Sequence, residues 1–80
     1  MNLSDETIDL LVDMSVNFSG GLDGLREISE IPEALTDLVN AVFFYYARDT
    51  NFEDGTKILT QDLFVNSERL KSKIFEKVES

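Results

Sequence analysis

Asp9 and Asp13 stand four residues apart, as do Glu33 and Asp37. On a helix that spacing sets two carboxylates side by side, the arrangement that acid–base catalysis would draw on. A general acid must also be pushed toward neutrality by burial. These pairs fall on polar helix faces, and no apolar stretch is interrupted by a lone acid, so their charges are expected to stay in water. The chain has no histidine and no cysteine, which removes the Ser-His and Cys-His nucleophile systems and the common zinc sites. "SGGLDG" (Ser19–Gly24) has the glycines of a phosphate loop but no lysine, and Asp23 would repel a phosphate. It reads as a helix C-cap. No catalytic residue, no cofactor and no enzymatic activity are expected.

The acids that follow the aromatic run "AVFFYYA" could instead hold a cation. Asp49, Asn51, Glu53 and Asp54 precede Gly55, and Ile58 and Asp62 follow it. Counted forward from Asp49, the segment resembles the first half of an EF-hand calcium loop. Counted back from Asp62, with Ile58 at the aliphatic position, it resembles the second half. The flanks "AVFFYYA" and "DLF" are similar to the entering and exiting helices of the EF-hand family, some of whose members carry a longer loop. The resemblance implies a calcium ion held by Asp49, Asn51, Glu53 and Asp62. Against it, the two counts disagree by two residues and the glycine comes one place late. An Asp also stands where the family has a bidentate Glu, and no second hand accompanies the loop. An acidic connector with Asp-Gly turn chemistry is therefore the expectation, and a calcium-binding module the alternative.

Without chemistry of their own, the acids form a surface. Residues 1–56 hold 12 of the 16 acids against only Arg26 and Arg48, whereas residues 57–80 hold four acids against five bases. The net charge of −9 repels phosphate and anionic lipid, so direct binding to nucleic acid or membrane is not expected. A basic protein is the natural partner, with Asp5, Asp9, Asp13, Glu27, Glu30, Glu33 and Asp37 as the contact residues. Acids four apart on a helix lie about 6 Å apart along its axis, against about 3.4 Å per phosphate along a DNA strand. Several such stripes together are needed to approach the charge density of DNA. Small acidic helical proteins that phages direct against restriction enzymes use surfaces of this kind. "NAVFFYYARD" and "LKSKIFEKV" bear a faint resemblance to segments of that type. The expected function is a non-enzymatic acidic interaction protein that binds a basic or nucleic-acid-binding protein, with a phage or mobile-element inhibitor of the DNA-mimic type as its specific form. A merely solubilising acidic surface is the plainer alternative.

These residues must be carried by helices. Ser4, followed by Asp5 and Glu6, offers a capping oxygen and acids for the positive end of a helix dipole. Ile8, Leu11, Val12, Ser15 and Phe18 then keep the helical period, and Gly20-Gly21 ends it, predicting a helix over 5–18. Leu22, Leu25, Ile28 and Ile31 recur every three residues, predicting a short, partly 3₁₀ helix weakened by Gly24. Pro32 suits a first helical position, and Leu35, Leu38, Val39, Val42, Phe43 and Tyr46 extend the pattern to about Arg48. Ile58, Leu59, Leu63, Leu70, Ile74 and Val78 continue a helical stripe after the loop. Asn66-Ser67 interrupts it, either as a polar position inside one long helix or as the cap of a final one, and two helices, over about 57–65 and 67–78, are the expectation. The fold class is all-α, a single domain of four to five short helices.

Eighty residues bury only about 60–65% of the surface the unfolded chain exposes, and neither disulfide nor zinc is available to compensate. Phe43, Phe44, Tyr45 and Tyr46 are consecutive, so they sweep about 300° of a helix. One chain is not expected to cover that arc, which predicts a homodimer with these four aromatics at its interface. An assembly subunit docking through the same helix is a further alternative. The lysines Lys71, Lys73 and Lys77 would then lie against the acidic half of the partner. The N-terminus has no basic region ahead of its apolar residues, no stretch approaches the roughly 20 apolar residues of a membrane span, and there is no cysteine, all of which predicts a cytoplasmic protein.

Overall fold

Helix initiation follows the capping chemistry. In the computed structural model, which describes residues 3–49 and 63–80, helix α1 spans Asp5–Phe18. The Ser4 hydroxyl accepts the Thr7 backbone N–H at 3.1 Å. At the other end Gly20 has φ 79° and Gly21 φ 128°. The Gly21 N–H donates to the Val16 carbonyl at 3.0 Å and the Gly20 N–H to the Asn17 carbonyl at 3.2 Å. This pair of bonds is a Schellman closure, and it requires a left-handed residue at Gly20.

Helix α2 spans Leu22–Ser29 and is α-helical throughout, not partly 3₁₀. Its three-residue apolar spacing therefore drifts around the helix by about 60° per step. Leu25 is fully buried, Ile28 packs partly on the core, and Leu22 and Ile31 are left exposed. Gly24 is required by proximity, because a Cβ there would collide with the Ser19 carbonyl oxygen.

Helix α3 spans Pro32–Asp49 and starts with proline, whose missing N–H would have had no helical partner in any case. It supplies Leu35, Leu38, Val39, Val42 and Phe43 to the core, where they meet Ile8, Leu11 and Val12 of α1, Leu25 of α2, and Leu70 and Ile74 of the last helix. Each of the four helices among the described residues touches the other three. Phe43 is the largest fully buried side chain among the described residues. Burying a side chain of that size contributes about 1.5–3 kcal/mol.

The last helix, α4, spans Leu63–Glu79 without a break, which corrects the division expected at Asn66-Ser67. Asn66 is fully buried inside this helix. Its Oδ1 accepts the Leu3 backbone N–H at 3.2 Å and the Arg69 Nη1 at 3.3 Å. Arg69 Nη1 also donates to the Leu3 carbonyl at 2.6 Å, and its Nη2 to Asp5 at 3.0 Å. The polar position inside the α4 stripe is thus occupied by the chain's N-terminal backbone, and the helix has no reason to stop. At the far end Arg26 donates to the Val78 carbonyl through Nε at 3.3 Å and Nη2 at 3.1 Å. A guanidinium there complements the negative end of the helix dipole. The fold is all-α; helix is the only regular structure among the described residues. No helix among them is long and apolar enough to cross a membrane.

Candidate functional site

The predicted acidic residues are exposed, but they fall into two groups with different surroundings. Those of α1 face the bases of α4. Asp5 pairs with Arg69 at 3.0 Å. Asp9 and Asp13 line a shallow groove with Val12 whose other wall carries Lys73, Glu76 and Lys77. Lys73 is held at 3.4 Å by Glu76 one turn away. The groove thus sets two aspartates across from a lysine–glutamate–lysine run, three acids against two bases.

The acids around the α2–α3 corner are differently placed. Glu27, Glu30, Glu33 and Asp37 form no ion pair among the described residues. Glu33 and Asp37 line a depression with Pro32 and Thr36. Lys71 donates to the Thr36 hydroxyl at 3.3 Å and lies 3.9 Å from Glu68, so it sits beside this group without closing on it. Glu30 borders a second depression with Arg26, Ser29, Phe75, Val78 and Glu79. The Arg26 guanidinium there is already engaged by the Val78 carbonyl and by Asp23 at 3.1 Å. The corner therefore presents carboxylates in no ion pair among the described residues; on α1 Asp5 is paired, while Asp9 and Asp13, also in no ion pair there, share a groove with Lys73 and Lys77.

The four aromatics separate as well. Phe43 lies in the core and Tyr46 packs partly against it, whereas Phe44 and Tyr45 are 52% and 48% exposed. Two residues outside the predicted set join this outward face. Phe18, read as a core residue of α1, is 43% exposed, and its ring meets Tyr45 edge-on at 5.0 Å. Arg48 lies over the Phe44 ring, its Cζ 5.7 Å from the centroid, a cation–π contact. Tyr45 and Phe44 are themselves perpendicular at 6.3 Å. The signal for Phe18 was present in the spacing. Ten residues beyond Ile8, it lies about 80° off the direction of that buried side chain, on the flank of α1 that meets α3.

Of the alternative calcium ligands, Asp49 ends α3 and Asn51, Glu53 and Asp62 lie outside the described residues, as does the expected connector. Among the described residues no three acids converge as a metal site would require. No known protein family, no curated protein and no solved structure matches the chain.

Proposed function

We propose that this is a non-enzymatic interaction protein that offers its acidic α2–α3 corner to a basic, nucleic-acid-binding protein, in the manner of a phage or mobile-element inhibitor that stands in for DNA. The observation that carries this reading is the setting of the acids: Glu27, Glu30, Glu33 and Asp37 are exposed and in no ion pair among the described residues, while on α1 Asp5 is held by Arg69 and Asp9 and Asp13 share a groove with Lys73 and Lys77. Unpaired surface carboxylates attract a cationic partner at long range and steer its approach. The α1 acids add to the overall field, but those that face lysines contribute less to a contact. An assembly subunit that docks through the α3 aromatics is the second reading, favoured by the exposure of Phe44 and Tyr45.

The test is competition. A fluorescent duplex oligonucleotide is bound to each of a panel of basic DNA-binding proteins, and its anisotropy is followed as the chain is added. Displacement that fades between about 0.1 and 0.5 M salt is expected, since screening shortens the reach of exposed charges. The triple variant Glu27→Gln, Glu30→Gln, Glu33→Gln should displace at least tenfold less well. Equal displacement by the triple variant, or none by the parent chain, would refute the proposal.

A further inference from the structure

The outward face of α3 carries a self-complementary order of residues. Asp37, Ala41, Phe44 and Arg48 are spaced four, three and four apart, which at 100° per residue keeps them within a strip of about 60°. Asp37, Phe44 and Arg48 are exposed, while Leu35, Val39 and Val42, on the opposite side of the helix, are buried. The spacing is the same read from either end. One end of the strip is an acid and the other a base, and the two inner positions are one small residue and one large.

We propose that a second copy of this chain covers the strip, the two α3 helices running antiparallel about a two-fold axis between Ala41 and Phe44. In that register Asp37 of each copy meets Arg48 of the other, and Phe44 of each packs over Ala41 of the other. An isologous contact requires that if one residue meets a second, the second meets the first, and both pairings satisfy it. A parallel pairing would set Asp37 against Asp37 and Arg48 against Arg48, which like-charge repulsion disfavours. Charge complementarity thus selects both the occupant and the direction. Tyr45 and Phe18, in ring contact at 5.0 Å, flank the strip and enlarge the apolar area. The face is still little more than one helix wide, at the small end of specific interfaces, so assembly is expected at micromolar concentration and above. The proposal sharpens the homodimer expected from the aromatic run by removing Phe43, which belongs to the core, and Tyr46, which packs against it on the side away from the strip. It does not depend on the partner assigned to the α2–α3 corner, and the triple Gln variant leaves Asp37 in place, so either idea can fail alone.

The experiment is a charge swap read by sedimentation equilibrium in about 150 mM salt. The parent chain should show twice the 9.1 kDa chain mass. Asp37→Arg and Arg48→Asp should each raise the dimer dissociation constant by at least about tenfold, because each creates two like-charge pairs per dimer. The double variant Asp37→Arg, Arg48→Asp should restore it. Both side chains are exposed, and far-UV circular dichroism checks that each variant keeps its helices. Phe44→Glu should also give monomer. A parent chain that stays at 9.1 kDa through the high micromolar range would overturn the proposal, leaving the strip to another segment of the chain or to a different protein. A dimer that survives Phe44→Glu, or that the double swap fails to restore, would overturn it equally.

Discussion

Two of the polar joints in this small bundle are built in opposite ways. The α1–α2 turn draws on residues within a few places of one another: Ser19, Gly20 and Gly21 close backbone bonds to the end of the helix they follow, and Gly24 leaves room for the Ser19 carbonyl. The joint between the N-terminus and α4 connects Leu3 to Asn66 and Arg69, 63 and 66 residues away. Both satisfy backbone groups that would otherwise be left without partners. The first is a property of a short peptide, whereas the second exists only once the rest of the bundle has formed.

The largest expected effect breaks the local joint. Gly24→Ala places a methyl against the Ser19 carbonyl, where backbone must move, and should cost about 3 kcal/mol. In a domain of this size each kcal/mol lowers Tm by about 4–8 °C, which calorimetry resolves. Asn66→Ala breaks the distant joint. It leaves the buried Leu3 N–H without its acceptor and should cost about 2 kcal/mol. Gly20→Ala forces a left-handed alanine and should cost about 1 kcal/mol. Asp5→Asn removes a pair whose acid is 92% exposed, and should change stability by less than about 0.5 kcal/mol.

Kinetics sharpens the same contrast. Gly20→Ala should slow folding, because the turn can close before distant segments meet, whereas Asn66→Ala should mainly speed unfolding. Chevron plots that place the Asn66 effect on the folding limb would show the distant joint forming first.

The same division decides what could be read from the sequence. The bounds of α1 follow from Ser4 and from Gly20-Gly21, and the start of α3 from Pro32, because caps and breakers act on their neighbours. Asn66-Ser67 looks like a cap in the sequence because one group that bonds Asn66 is the Leu3 N–H, 63 residues away, which no local pattern reveals. The acidic residues were legible as surface, but not which of them face bases. Asp9 and Glu33 look alike in the sequence, and only the approach of α4 to α1 sets Lys73 and Lys77 across from one of them. Of the aromatic run, periodicity alone separates Phe43 from Phe44. What it could not supply was Phe18 arriving from another helix to meet Tyr45.

Asn66 also acts as an index mark. Leu63, Leu70, Ile74 and Val78 form a stripe of similar aliphatic side chains, and an aliphatic stripe slides with little penalty by one turn, about 5.4 Å. The amide interrupts that degeneracy, since a slip would carry it away from the Leu3 N–H and press it against hydrocarbon. A leucine at this position would remove the desolvation cost and, with it, the preference for one alignment. Asn66→Leu should therefore retain helix content while its amide NMR spectrum shows more than one set of peaks for α4. A single sharp set would mean that side-chain shape alone fixes the alignment.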